Sequence, residues 1–336
     1  MRVSVVIVNW NGRRYLEGCL SSVLAQTHPA FEVVLVDNAS TDGSVELVAR
    51  RFPEVRILRN ERNLGFAAGS NIGIRATSGE CVATLNNDAQ ADSRWLEELV
   101  AAMQGQEMVG MAASKMLFAH RPEVINSTGI CLDPAGIAWD RRGGEWDAAE
   151  ESRPIEVFGP CAGAALYRRA MLDQVGLFDE DFFCYLEDVD LAWRARLMGW
   201  RCLYVPTARV YHVHSGTGQE GSPFKNYLLG RNKVWTIIKN YPSPELFLFL
   251  PIILAYDLGS IPYTLLARGD ASALRGRLAA LGRLPHFWQK RREVQRRRTV
   301  PFAALAEHLS PLESPLAVLR RYRHLRDLSA EMAQPP

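Results

Sequence analysis

Between Phe178 and Arg194 the chain reads Phe-Asp-Glu-Asp-Phe-Phe-Cys-Tyr-Leu-Glu-Asp-Val-Asp-Leu-Ala-Trp-Arg, carboxylates set among aromatic and aliphatic side chains. A carboxylate kept ionised in a partly apolar pocket is the group needed to take a proton from an alcohol. Leu186, Val189, Trp193 and Leu197 follow at i, i+3, i+7 and i+11, so the spacing predicts a helix with one buried face. Glu187 and Asp188 then fall in or near its first turn, where the helix dipole favours the ionised carboxylate. Acids in a first turn also serve simply to complement that dipole, so this stretch alone leaves both readings open.

A second candidate for chemistry is Asp88, which closes the run Asn86-Asn87-Asp88. A departing diphosphate needs its charge neutralised, and Mg²⁺ or Mn²⁺ held by one or two carboxylates plus phosphate oxygens is the usual means. A strand-end turn residue would read the same way. Far downstream, Val210-Tyr-His-Val-His214 sets two alternating histidines at the end of an apolar run, Cys202–Val205 and then Arg209–Val213. They point to opposite faces of a strand, so at most one, His212 or His214, is expected as a ligand.

These residues need elements to bring them together. Val3–Val8, Phe31–Val36, Val55–Leu58 and Cys81–Leu85 read as short buried strands. Between them Arg13–Gln26, Ser44–Phe52 and Gly69–Ala76 carry helical patterns. That alternation predicts an α/β fold with a parallel sheet covered by helices on both faces, and ligands at the carboxyl ends of its strands. Each strand is followed by small polar residues, glycine or a carboxylate: Asn9-Trp-Asn-Gly12, Asp37–Ser44, Asn60–Asn71 and Asn86-Asn87-Asp88. One such loop is ordinary turn chemistry; four on one sheet edge predict a polar ligand site. Asp37 is suited to accept from a nucleobase N–H, and the glycines near Gly65 to let backbone approach a nucleotide. Neither G-x-G-x-x-G nor G-x-x-x-x-G-K-S/T occurs in these loops, which disfavours a dinucleotide dehydrogenase and a P-loop enzyme. Asp133–Pro154, rich in Gly, Asp, Glu and Arg and without periodicity, reads as a mobile loop that closes over a bound donor.

Six segments carry a family resemblance: Val3–Gly12, Val36–Ser44, Asn63–Asn71, Leu85–Asp88, Gly163–Arg168 and Phe178–Leu191. In this order, over about residues 1–240, they resemble glycosyltransferase family 2, and in particular its bacterial rhamnosyltransferase-like branch. The resemblance implies a GT-A fold, Rossmann-like with a mostly parallel sheet, and inversion at the anomeric carbon. It also implies a nucleotide-diphosphate-sugar donor, a glycan or glycolipid acceptor and a divalent metal, Mg²⁺ or Mn²⁺. By motif it assigns Val8, Asn9, Asp37, Asn63, Gly65, Asn71 and Asn87 to the nucleotide-sugar site, with Asp37 as the base-binding acid. It makes Asp88 the last position of a metal-binding Asp-x-Asp and His212 a member of the metal or diphosphate shell. Asp188 becomes the catalytic base of the Glu-Asp motif, with Glu187 turned to the acceptor or donor sugar. The chain departs from the pattern in keeping a single carboxylate in Asn86-Asn87-Asp88. Three rival classes fit less well: an inactive sugar-nucleotide-binding module, a scaffold acting through its C-terminal region, and a nucleotidyltransferase, which would release pyrophosphate.

The 336 residues, 48% hydrophobic and 23% charged, suffice for one large domain and an appendage, here 1–240 and a helical 241–336. Six scattered cysteines without a C-x-x-C pair suit a reducing cytosol and argue against structural zinc. Val3–Val8 is too short for a signal peptide. The net charge of +2 hides an asymmetry: from Arg268 onward there are 14 basic against 6 acidic residues. Leu246–Ala267, 22 largely apolar residues, is long enough to span a bilayer, but Pro251, Asp257, Gly259 and Pro262 interrupt it. With the Arg-rich 274–288 and the cluster Lys290–Arg298 beyond it, the region is expected to lie on an anionic membrane surface. That places the protein in the cytoplasm, peripheral on the inner face of the cell membrane; a buried or homodimeric seam and a true span are the alternatives. A nucleic-acid partner is not expected from an acidic body without a binding motif.

Overall fold

The computed structural model describes residues 1–148, 151–213, 221–267 and 269–332. It opens with β1 (Val3–Asn9), α1 (Arg13–Leu24), β2 (Phe31–Asp37), α2 (Ser44–Arg51), β3 (Arg56–Arg59), α3 (Gly65–Arg75) and β4 (Cys81–Leu85). Then come β5 (Ala89–Ala91), α4 (Trp95–Met103), β6 (Val109–Phe118), β7 (Arg121–Ser127), β8 (Ile130–Leu132), β9 (Ala138–Asp140), β10 (Ile155–Glu156) and β11 (Ala164–Arg168). Glu187 and Asp188 follow on α6 (Glu187–Leu197), after α5 (Arg169–Val175), and β12 (Arg201–His212) completes the sheet. Six further helices close the described chain: α7 (Pro223–Asn240), α8 (Glu245–Pro262), α9 (Ser272–Leu281), α10 (Leu284–Arg297), α11 (Phe302–Ala306) and α12 (Pro315–Met332).

The strands are ordered β10-β12-β6-β11-β4-β1-β2-β3, with β5 added to β12 and β7 to β6. Strands β3, β2, β1 and β4 are mutually parallel, β6 pairs parallel with β12, and β11 runs antiparallel between β4 and β6. This is the expected α/β class with a mostly parallel sheet. Along β1 the side chains alternate between two cores: Val3, Val5 and Ile7 meet α1 and α4, while Val6 meets the α3 and α6 side. Both faces are covered, so the strand is largely apolar, Ser4 and the terminal Asn9 apart, rather than alternating.

Three expectations are revised. Helix α3 begins at Gly65, four residues before the apolar pattern suggests, because the Asn63 side chain accepts from the Gly65 N–H at 2.9 Å and starts the turn. Its glycines therefore serve packing: a Cβ at Gly69 would stand 2.8 Å from Val8, and one at Gly73 would strike Val6. They set helix against strand. Asp133–Pro154 is not a featureless loop, since it contains β9, paired with β8, and a turn whose Trp146 bridges to Val124; residues 149 and 150 lie outside the described set.

The third revision concerns α6 and the C-terminal helices. Helix α6 is buried almost all round instead of along one stripe. Its outer face is covered by α7 and by the segment that follows, with Tyr241 set on Trp193 at 5.0 Å between centroids. Helices α9 and α10 pack on α7, where Trp235 stacks on Phe287 at 4.3 Å. Part of the basic cluster thus faces inward. Arg291 is buried and donates to the Ile238 carbonyl at 2.8 Å, to the Tyr241 carbonyl and to Ser243 Oγ at 2.6 Å. Lys290 reaches Asp179 and Asp181. Of the basic residues among 290–297, Arg292, Arg296 and Arg297 remain well exposed.

Candidate active site

The register puts Asn9 beside Asp37 and Asp37 beside Arg59, so β1, β2 and β3 end together on one edge of the sheet. There the polar side chains form one hydrogen-bonded group. Asn9 Nδ2 donates to Asp37 Oδ1 at 3.0 Å and to Ser40 Oγ at 3.0 Å, and Asn87 Nδ2 donates to Asn9 Oδ1 at 2.7 Å. The Ser40 N–H donates to Asp37 Oδ2 at 3.0 Å. Asp37 is almost fully buried, and each of its oxygens retains lone-pair capacity for one more donor, such as a base N–H. Asn38 joins this group to α3 by donating to the Gly65 carbonyl at 3.0 Å, with Asn60 donating to Asn38 at 2.8 Å. Val8 lies half-buried against Gly69.

Of the residues assigned to the nucleotide-sugar site, Asn71 is placed differently. It is buried, its Nδ2 donates to the Phe178 carbonyl at 2.8 Å and to Glu180 at 2.9 Å, and its Oδ1 accepts from the Phe178 N–H at 3.1 Å. Its amide is spent on tying α3 to the acidic stretch. Asn63 and Gly65 likewise meet the protein first, through the cap of α3 and through Phe183, whose carbonyl a Cβ at Gly65 would strike.

Asp88 follows β4 and meets His212, the last residue of β12, with Oδ1 3.0 Å from Nε2. Asn86 Nδ2 lies 3.2 Å from the same nitrogen, and Asn126 Oδ1, on β7, lies 2.8 Å from His212 Nδ1. With Nδ1–H donating to Asn126, the ring presents its other nitrogen toward Asp88, the arrangement that orients imidazole ligands. His214 lies outside the described residues. Among the described residues no cluster of three or more His, Cys, Asp or Glu forms a cage. A carboxylate and an imidazole 3.0 Å apart at a sheet edge do fit a divalent ion whose remaining ligands are water and phosphate oxygens.

Asp188 arrives on the same edge from the far side of β11. Asn86 N–H donates to the Gly163 carbonyl at 2.8 Å, and the preceding residue, Ala162, donates its N–H to Asp188 Oδ2 at 3.2 Å. The start of β11 therefore stands between Asp88 and Asp188. Asp188 is half-buried; burial, with Asp140 of β9 adding its charge, raises its carboxyl to about 6, against the backbone N–H groups of Ala162, Val189 and Asp188 itself, which lower it. Glu187 is buried, its Oε2 has no partner, and burial beside Asp188 pushes its carboxyl well above the usual range. One carboxyl is thus poised to release a proton near neutrality, and its neighbour is held neutral.

The turn that leads into α6 is unusual. Phe183, Tyr185 and Leu186 have φ of +66°, +69° and +66°, none of them glycine. Each such residue costs roughly 1–3 kcal/mol, so the surroundings must impose the shape. The residues that do so, along with Asn38, Ser40, Asn126 and Ala162, were not singled out as site residues in the sequence. Asn38 and Ser40 lie inside a recognised loop, whereas Asn126 and Ala162 carry no sequence signal because their roles depend on partners from distant strands.

A sheet of this order, with its polar edge flanked by an aspartate–histidine pair and a half-buried carboxylate, defines a GT-A glycosyltransferase, and solved structures share the fold. Against GalNAc-T7 crystallised with UDP, GalNAc and Mn²⁺ the TM-score is 0.62 at 20% identity, covering 86% of this chain and 56% of that one. Against TarS residues 1–349 of S. aureus with UDP-GlcNAc it is 0.57 at 18% identity, covering 98% and 91%. The mannosyltransferase PcManGT of Pyrobaculum calidifontis, with GDP-Man and Mn²⁺, gives 0.53 at 20% identity, covering 98% and 84%. The chain belongs to glycosyltransferase family 2, whose model matches residues 4–176. It is similar to N-acetylglucosaminyl-diphospho-decaprenol L-rhamnosyltransferase of Mycobacterium tuberculosis, 31% identical over 246 residues, 64% of this chain and 78% of that protein. The O-antigen biosynthesis protein RfbC of Myxococcus xanthus is 29% identical over 231 residues, 64% of this chain and 18% of that one.

Proposed function

We propose that this glycosyltransferase moves a sugar, rhamnose in the first instance, from a nucleotide-diphosphate donor to a hydroxyl of a lipid-linked or cell-envelope glycan, with inversion. The observation that carries the chemistry is Asp188, half-buried and held by Ala162 at the start of β11, next to the strand that presents Asp88. Its carboxylate takes the proton of the acceptor hydroxyl as that oxygen bonds to C1, and the C1–O bond to the diphosphate breaks on the opposite face. Asn9, Asp37 and Asn87 hold the nucleotide end, so donor and acceptor meet in one fixed geometry. Asp88 and His212 would hold Mg²⁺ or Mn²⁺, which when bound stabilises the departing charge. Glu187, kept neutral, is an O–H donor for a sugar hydroxyl. The rhamnosyl and lipid-linked parts of this reading rest on the likeness to the mycobacterial enzyme.

The acceptor reading is supported by α8 and the helical turn after it. Residues 245–266 are long and apolar enough to cross a membrane by length and composition. Asp257, the carboxylate that interrupts them, turns inward to Lys233 at 2.9 Å and Arg277 at 3.2 Å. Elsewhere along its length the helix exposes Phe247, Leu248 (72% exposed), Leu254 and Leu258 (61%) to water. A helix tied down at Asp257 and otherwise largely apolar and exposed suits an interfacial seat on the inner membrane surface, close to a lipid-borne acceptor.

A panel of UDP- and dTDP-sugars, read as nucleoside diphosphate release with and without EDTA, tests the reaction. Turnover with a dTDP-sugar, lost on chelation and restored by Mn²⁺ or Mg²⁺, is the expected result; undiminished turnover after exhaustive chelation would leave Asp88 a turn residue. Sedimentation with anionic vesicles tests the seat. A wild-type protein that binds and a Leu248→Glu, Leu258→Glu double variant that does not are expected. A stable dimer that ignores vesicles would hand the apolar face to a homodimer seam.

A further inference from the structure

The turn that delivers Asp188 is held from behind by a residue in none of the motifs above. Asn232, in the middle of α7, is fully buried. Its Nδ2 donates to the carbonyls of Phe182 at 3.1 Å, Cys184 at 2.9 Å and Tyr185 at 2.7 Å. Arg231 extends the hold, with Nη2 donating to the Phe182 carbonyl at 2.8 Å and Nε donating to Asn232 Oδ1 at 2.9 Å. From the other side the Ala67 N–H donates to the Phe183 carbonyl at 3.2 Å. The turn supplies little of its own restraint, since α6 starts on left-handed Leu186 without a side-chain cap. An amide nitrogen with two hydrogens shared among three carbonyls specifies where residues 182–185 run, because each carbonyl must lie within reach of the same atom.

We propose that Asn232 is a positioning residue for glycosyl transfer: by pinning the left-handed turn 182–186 to α7 it sets where Asp188 stands relative to the sugar nucleotide. The link is short, since Leu186 is both the last residue of the turn and the residue from which α6 departs two positions before Asp188. Transfer demands that the base reach the acceptor oxygen within a fraction of an ångström, whereas nucleotide binding through Asn9, Asp37 and Asn87 makes no such demand on this turn. Loss of Asn232 should therefore fall on kcat and spare nucleotide affinity.

This inference rests on Asp188 as the base, and a double-mutant cycle on the full chain separates the two. Asn232→Asp keeps the shape and removes the donor hydrogens; Asn232→Ser keeps one donor at shorter reach. Turnover is read with the best donor of the panel above, per UDP- or dTDP-binding site counted by calorimetry, so that misfolded protein does not count. Asn232→Asp is expected to lower kcat by about 30-fold or more with nucleoside diphosphate Kd within about twofold of wild type, and Asn232→Ser by less. In the Asp188→Asn background the same change should cost under about threefold, because the group it positions is already gone. Equal losses in both backgrounds, or full turnover by Asn232→Asp beside an inactive Asp188→Asn, would overturn the inference and leave the base assignment standing. Full turnover by Asp188→Asn would instead remove the base assignment and this inference with it. Should Asn232→Asp fail to bind nucleotide, Asn232→Ser is read by the same cycle.

Discussion

Asp179, Asp181 and Asp190 lie within a dozen residues of Glu187 and Asp188, in surroundings of opposite character. Asp179 and Asp190 share Lys239 Nζ at 2.6 and 2.9 Å, Asp190 also holds Arg194 at 2.9 Å, and Lys290 closes on Asp179 and Asp181. Burial would raise these three carboxyls, but their lysine, arginine and histidine partners outweigh it: Asp181 falls to about 2, and Asp179 and Asp190 are lowered too. For Glu187 and Asp188 burial goes unanswered by any cation, and both carboxyls rise. One stretch thus supplies an ionic clamp that joins α10 and α7 to the body and a pair of carboxyls kept ready for protons. The lesson is that a cluster of acids is divided by its cations: those with lysine partners hold the fold, and those without keep carboxyls raised by burial, the kind suited to the proposed proton transfer.

The largest effect expected from breaking this division is at Lys239. Lys239→Met removes the cation from two buried carboxylates, and losing one partner of a buried pair costs about 3–5 kcal/mol. Denaturant unfolding should show it; a loss under about 1 kcal/mol would mean that Lys290 and Arg194 suffice alone. Asp188→Asn comes next. It should lower kcat about 100-fold or more, equivalent to about 2.7 kcal/mol of transition-state stabilisation, with donor affinity near wild type. Because a carboxyl raised by burial costs stability once pH exceeds its unfolded value and it must ionise in the fold, the same variant should be more stable than wild type at pH 8.

A third test uses pH. Asp188, raised to about 6, must be ionised to act, so turnover should rise through pH 6. Asp181, lowered to about 2, contributes stability that is complete above its unfolded value near 4 and is lost as pH falls toward 2. Between roughly pH 4 and 5 the protein should be folded yet nearly inactive, as read by near-UV circular dichroism beside a rate assay. Unfolding that tracks the activity loss would merge the two groups. The smallest effect is expected at Glu187: as its carboxyl is already neutral, Glu187→Gln preserves charge and shape and should lower kcat by less than about tenfold. An inactive Glu187→Gln beside an active Asp188→Asn would exchange their roles.

The strand and helix rhythm of the first hundred residues was legible in the sequence because burial on both sheet faces leaves largely apolar runs such as Val3–Val8, interrupted only by Ser4. The loops that end those strands were legible for the same reason: a parallel sheet must gather them at one edge, so Asn9, Asp37, Asn87 and Asp88 could be placed together before any coordinates. Asp188 stood out by its position at the start of a helical pattern. What could not be read was which polar groups spend their capacity on the protein itself. Asn71 and Gly65 share a motif with Asn63, yet Asn71 is saturated by Phe178 and Glu180, more than a hundred residues away in the chain. The basic cluster 290–298 has the composition of a lipid-facing patch, and only packing on α7 turns Lys290 and Arg291 inward. Asn232 and Asn126 had no signal, since an isolated asparagine in a helix or strand looks the same whether it faces water or three carbonyls. Periodicity and loop chemistry are local, so sequence determined the sheet, its polar edge and the candidate carboxylates. Charge pairing and amide partners are set by contacts between distant segments, so only the tertiary structure decided which acids are clamped, which are raised, and what holds the turn between them.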